Sequence, residues 1–424
     1  MKIPFFNTKN ENNDSPANAA FDKVKNFFSL EPQKEKVLRH KDFNAAGDVY
    51  YANVSSVYKI SQRVLVLILV VFLLFSVISN FGEITYDNFF YLFKDFSNAV
   101  DIESSNYDSL SYTSDTRHFF SLYRGGLVVV NPSNVSVYTA TGRNTLNTTS
   151  QFSSPCVESS DKYFLVYDTA DTEFAIYNSF SRVYSETLEY PITAACFADD
   201  GKFAVITRDI SHKSLVKVYK NNFKPVFAVP ENLYAFDVSM SSKEDKLAIC
   251  YYDNGTGNGS SQIAVYSVSN AEKLTTISIE GEFLIQSGFL DNGNLAVITN
   301  SSVKIYDKNF DLKTSLAYNN AQLTGFDINS YGVAVSYVLN SENHVAIFYG
   351  NAKLVYNEAV RNSINDIGLY EQTAFLRTDD GIIRLDLRDK KQAFLPSGQG
   401  KMLIYNANTA VVCGAAKAEY LTFE

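Results

Sequence analysis

The 424 residues contain no tryptophan, and cysteine, histidine and methionine are scarce at four, four and three. Four cysteines in a chain of this length do not make a disulfide framework of the kind that staples small secreted domains. Cys-x-x-Cys pairs and His/Cys clusters are missing, which removes the usual ligand sets of structural zinc. His40, His118, His212 and His344 are scattered without metal-ligand spacing. The Gly-x-Ser-x-Gly, His-Glu-x-x-His, P-loop and Gly-rich dinucleotide patterns are also missing. Basic residues are outnumbered, 37 Lys plus Arg against 46 Asp plus Glu, for a net charge of −9. A general nucleic-acid binder needs a basic face, so that class is excluded. An apolar content of 46% excludes wholesale disorder. These absences assign no catalytic, metal-binding or cofactor-binding residue, and the expectation is a non-enzymatic protein.

What is present begins with one apolar run. Val64 to Ile78 reads VLVLILVVFLLFSVI without a charge. Extended to Gly82, it approaches the ~20 residues that cross ~30 Å of hydrocarbon. A transmembrane helix over 63–82 follows, with the lipid bilayer as the partner of residues 64–82; the alternative is a buried core helix. Residues 1–63 carry ten Lys/Arg and seven Asp/Glu, and Arg63 abuts the run. Positive charge on that flank predicts a cytoplasmic tail over 1–62 and a C-terminal domain outside. A leader of this length, and the poor cleavage site Ser79-Asn80-Phe81-Gly82, argue for an uncleaved anchor. Residues 1–20 read as disordered. Residues 21–41 offer an amphipathic pattern on Phe21, Val24 and Phe28, either a docking helix or a solvated tail. Over 83–104, Tyr86, Phe89, Phe90, Tyr91, Phe93 and Phe96 suit an interfacial helix or packing beneath the outer domain.

From about residue 105 short Val/Ile/Tyr/Phe runs alternate with Asp/Asn/Gly/Ser turns, an all-β signature. The segment CFADDGKFAVIT from Cys196 matches GFLDNGNLAVIT from Gly288, each reading strand, Asp/Asn-Gly turn, strand. Looser copies start at Cys156, Phe236, Phe326, Ile367 and Ile404. Each leads to a third strand whose large apolar anchor falls at Tyr138, Tyr177, Tyr219, Tyr266, Tyr306, Phe348, Leu385 and, degenerately, Leu421. A spacing of about forty residues is that of four-stranded propeller blades. The expectation is an all-β propeller of about eight blades over 105–424, with seven blades and an irregular flap as the alternative. The last copy stops after its third strand, and Asn106–Thr113 is expected to supply the missing strand, since an open sheet edge invites misassembly. Recurring tyrosines are expected to pack the blades.

The same alignment places Cys156 and Cys196 equivalently on neighbouring first strands, and Cys250 and Cys413 equivalently on second strands four blades apart. Neither pair meets the ~7 Å Cα limit of a disulfide, so four buried free thiols are expected. Asp168–Asp171 and Asp253–Gly259 lack the ligand order of calcium loops and read as turns, as do Asp199-Asp200-Gly201 and Asp379-Asp380-Gly381. The Asn-x-Ser/Thr triplets at Asn134, Asn147 and Asn254 carry no weight. The loop Asp253–Gln262 is an insertion.

The stretch ITYDNFFYLFKDF from Ile84 and the repeat GGLVVVNPSNVSVYTATG from Gly125 resemble an uncharacterised family of Gram-positive bacterial proteins, a domain of unknown function. The resemblance spans residues 45–424. It implies a short cytosolic leader, one membrane span and an extracytoplasmic β-propeller at the bacterial plasma membrane, and it carries no known activity or site residues. Quinoprotein-dehydrogenase-like propellers are similar more distantly, but their Trp-containing docking motifs are absent here, as is the Trp-Asp blade signature. The function expected is an interaction or scaffold module at the cell envelope with a protein or glycan partner, bound at the top face or central channel. The alternatives are an envelope lyase or hydrolase gathering His118, His212 or His344 with acids at the channel mouth, and a sensor signalling through residues 1–62.

Overall fold

The computed structural model describes residues 45–79, 109–112, 118–241, 243, 245–253, 260–318 and 321–423. It forms two compact units, Met1–Thr85 and Tyr86–Glu424, each taken by itself. The tail over 1–44, the aromatic stretch 83–104 and the insertion tip 254–259 lie outside the described residues.

In the first unit, helix α1 runs Ala45–Ser79. It begins well before the expected residue 63. Residues 45–62 contain no proline and a single glycine, so nothing in that stretch interrupts i→i−4 bonding. Val57–Ser76 is long and apolar enough to cross a membrane, and none of it is buried. A core helix buries at least one face, so the buried-core alternative does not describe it.

The second unit consists, among the described residues, of eight four-stranded antiparallel sheets. Blades 1 to 7 cover 119–149, 155–187, 192–231, 234–279, 284–317, 322–360 and 366–396 in chain order. Blade 8 takes three strands from 401–422 and its outermost strand, Ser109–Ser111, from ahead of blade 1. Leu110 lies opposite Ala418 in that pairing and is buried. This is the closure the sequence called for, and the count is eight rather than seven. Each first strand packs on the first strand of the next blade, and that of blade 8 on that of blade 1.

One register runs through all eight blades. The anchors Tyr138, Tyr177, Tyr219 and Tyr266 lie opposite Leu127, Phe164, Phe203 and Leu247 of their second strands. Tyr306, Phe348, Leu385 and Leu421 lie opposite Leu295, Val333, Ala374 and Ala410. The second strands are almost wholly buried, because blades sandwich them on both faces. Tyr177 and Tyr219 are fully buried, Tyr266 and Tyr306 nearly so, and Tyr138 half-buried. Phe203 and Tyr219 stack at 4.5 Å, which is the packing role expected of these rings.

The turns follow from local chemistry. Gly201 closes the Asp-Asp-Gly hairpin at φ 87°, a conformation that glycine reaches without a Cβ clash, and its N–H donates to Ala198 O at 2.9 Å. Near the axis the blades converge, and side chains shrink. A Cβ on Gly368 would stand 2.2 Å from Ile404 Cδ1 of the next blade.

Candidate functional site

Register decides which side chains face the axis. On the first strand of every blade, the two positions opposite the first and third residues after the anchor partner share one face. That face carries Glu158 in blade 2, Asp327 in blade 6, Asp237 in blade 4, Asp366 in blade 7 and Lys401 in blade 8. The alternate face is apolar and buried, as at Val238, Ile367 and Met402. Glu158 and Lys401 are solvent-exposed although they sit on innermost strands, so their exposure is to the channel and its mouth.

Confinement among protein atoms raises these acids. Glu158 is pushed up to about 7 by desolvation, opposed by Lys401 and reinforced by Asp237. Asp327 is pushed up to about 6 by desolvation, against the hydrogen bonds it accepts. Desolvation also raises Asp237 and Asp366. Asp237 and Asp327 clasp neighbouring blades. Asp237 Oδ2 accepts from Ser287 N of blade 5 at 3.0 Å, and Asp327 Oδ2 accepts from Leu369 N of blade 7 at 2.8 Å. Asn329 completes the second clasp by donating to Asp327 Oδ2 and to Leu369 O. Among the described residues no group of three or more His, Cys, Asp or Glu side chains is placed to hold a metal ion.

The second feature is on the crossover face, where the links between second and third strands and between blades emerge. Ile210, in the 208–213 link of blade 3, is 89% exposed. Three residues on, Lys213 Nζ lies 5.0 Å from the Tyr234 ring centroid at the start of blade 4. Tyr234 pairs with Tyr252 across the first two strands of that blade. Tyr252 in turn stacks on Phe283 at 5.5 Å and 17°. Tyr234 and Phe283 are 48% and 52% exposed. Phe283 is held in place by Asn300, whose Oδ1 accepts from Phe283 N at 2.7 Å and whose N–H donates to Phe283 O at 2.9 Å. Tyr234, Tyr252 and Phe283 thus form a row of exposed and half-buried rings on this face, where Ile210 is also exposed on the blade 3 link.

The histidines do not gather. His118 precedes blade 1, His212 pairs with Asp209 at 3.4 Å in blade 3, and His344 stacks on Tyr337 at 5.4 Å in blade 6. They share no pocket with one another, and His40 is outside the described residues. All four cysteines are free. Cys250 and Cys413 are buried at equivalent positions of second strands, but Cys156 and Cys196 are half-buried and not equivalent. Cys156 faces Tyr167 and Cys196 faces Ala204, two register positions apart: the hairpin of blade 2 is one residue shorter than that of blade 3, and Cys156 lies one residue farther in sequence from Phe164 than Cys196 does from Phe203. Asp168 does not stand in a turn: it ends the second strand of blade 2 opposite Pro155, is buried, and accepts from Ser154 N at 2.7 Å, the turn following at Ala170.

Sequence reasoning passed over both features. Phe-Asp-Val at 236–238 and Phe-Asp-Ile at 326–328 signal an acid inside an otherwise apolar strand. The exposed surface draws on four separate segments and leaves no contiguous signal.

A family described as being of unknown function, DUF5711, matches residues 99–395. The match includes most of the repeats and stops short of the aromatic stretch after the apolar run, on which the sequence resemblance leaned most. Comparison with curated proteins finds no match. Among solved structures, Saccharomyces cerevisiae Sqt1 is similar at TM-score 0.58 and 10% identity, covering 74% of this chain and 98% of its own. Chaetomium thermophilum Sqt1, bound to the N-terminus of ribosomal protein L10, is similar at TM-score 0.56 and 12% identity, covering 75% and 99%. BamB from Moraxella catarrhalis is similar at TM-score 0.50 and 10% identity, covering 74% and 98%. These likenesses are of fold.

Proposed function

The chain belongs to the DUF5711 family of unknown function, and from that premise we propose that it is a non-enzymatic protein-interaction module, anchored in the bacterial plasma membrane with its propeller outside. The observation that carries this reading is the row of rings Tyr234, Tyr252 and Phe283, with Ile210 exposed on the same face. Exposed aromatic rings braced by stacking and strand pairing lose little entropy on binding and supply the anchors of protein interfaces. Contiguous exposed apolar surface on a soluble unit marks an interaction site. A propeller of the same architecture, Chaetomium Sqt1, holds a segment of another protein. The anchor is supported by the exposed Val57–Ser76 segment, and the orientation by the cationic flank before it.

A photoreactive residue placed at 283, with another at rim residue Leu354, tests the surface in native membranes of the producing cell. Crosslinking to a discrete protein from 283 and not from 354 is expected. Equal crosslinking from both positions, or none from 283, contradicts the proposal. Phe283→Ser should leave stability within about 0.5 kcal/mol of the parent, because the ring is half exposed.

A further inference from the structure

The seam where blade 8 meets blade 1 opens on the crossover face as a cavity of about 520 Å³. That volume is within the range of small-molecule sites. Phe119 and Phe120 line it from the blade 1 side, Gly400, Lys401 and Cys413 from blade 8, and His118 lies between. No Asp or Glu is among the described residues of its wall.

The walls are braced. Phe120 is buried, and Tyr112 packs against both Phe120 and His118 at 5.5 and 5.0 Å. Tyr112, which continues the outermost strand of blade 8, donates within that blade to Gly414 O at 2.6 Å. The polar groups are few and have capacity to spare. Lys401 Nζ donates to Phe120 O at 3.3 Å and has no carboxylate within ion-pair distance among the described residues. An ammonium has three donors, so two remain. His118 Nε2 is shielded from solvent and has no hydrogen-bond partner. Burial lowers its basicity, so the ring is neutral at pH 7. Cys413, pushed up to about 12 by burial, stays a neutral thiol. One cation and two phenyl rings, with no acid among the described residues of the wall, form a coherent recognition set.

We propose that the seam cavity binds a small organic carboxylate with an aromatic or alkyl body. The carboxylate pairs with Lys401, and the body lies along Phe119 and Phe120. Glu158 and Asp366 share the field of Lys401 from the channel side, so affinity is moderate. The first and last blades supply opposite walls, so a bound ligand bridges the closure of the ring and stabilises it by mass action.

The test uses the full-length chain in detergent micelles, with phenylacetate and hexanoate at millimolar concentration and phenylacetamide and hexanamide as neutral controls. Thermal unfolding and ligand-detected NMR read stabilisation and binding separately. The acids should raise the unfolding midpoint and show saturation transfer, and the amides should do so clearly less. Lys401→Gln should weaken acid binding by about tenfold, as expected for losing a charged hydrogen bond, and Lys401→Arg should retain it. Equal binding of acids and amides overturns the proposal, as does acid binding that survives Lys401→Gln or no detectable binding of either acid. If Lys401→Gln does not fold, the contrast between acids and amides on the parent and on Lys401→Arg decides.

Discussion

A carboxylate on an innermost strand stands between neighbouring blades and the channel, and its partners determine its role. Asp327 is held by Leu369 N and Asn329 Nδ2, yet desolvation still raises it to about 6. The folded chain therefore keeps a proton that the unfolded chain releases near pH 4. Stability contributed by that proton is present below the unfolded value and is lost as pH rises through the folded value. Glu158, raised to about 7, acts with the same sign. Between pH 5 and 8 these groups favour the acid end, while His118, lowered by burial, favours the alkaline end. Asp327→Asn removes one contribution and leaves the others. Thermal midpoints of Asp327→Asn relative to the parent should rise from pH 5 to pH 8; a constant difference would contradict the raised carboxyl. Gly368 makes a steric counterpart. Gly368→Ala should cost about 1–3 kcal/mol in denaturant unfolding through overpacking on Ile404, and Ile404→Val should recover part of the loss. Additive losses would show that the two do not meet.

The strand Ser109–Ser111 is three residues long, yet it completes blade 8 and so closes the ring. Its single buried side chain, Leu110, packs in a cluster with Leu127, Val129 and Val411 that spans blades 1 and 8. Leu110→Ala should cost about 2–3 kcal/mol, the low end for a buried leucine. Hydrogen exchange should show the loosening concentrated in blade 8. Uniform loosening across all blades would mean that closure is not carried there. Elements of this kind were legible in the sequence. The Asp/Asn-Gly turns at Gly201 and Gly293 marked hairpins, the third-strand anchors marked the period, and the truncated last copy marked the need for a donated strand. The offset of Cys156 from Cys196 was not legible, because a one-residue change in hairpin length and a one-residue change in spacing add to two register positions without altering texture. A two-residue difference in hairpin length likewise hides Asp237 and Asp327, alike in sequence context but two register positions apart. The exposed surface was illegible for another reason: Lys213, Tyr234, Tyr252 and Phe283 meet only once blades 3, 4 and 5 are side by side.

Taken as a whole, the chain separates its tasks along its length. Net charge is positive over 1–63 and reaches −12 over the remainder, against −9 in total. A cationic flank, an exposed apolar helix and an acidic ring with exposed aromatic rings are the parts that the proposed anchored binding module would use. The missing tryptophan fits this plainer design, in which Tyr and Phe carry the inter-blade packing and the exposed contacts alike. The most direct test is crosslinking of intact cells with a membrane-impermeant reagent, comparing the parent with the double variant Tyr234→Ser and Phe283→Ser at equal abundance. The account predicts a discrete adduct with the parent on intact cells and its loss in the double variant. An adduct that forms only after lysis, or one that survives both substitutions, would contradict it.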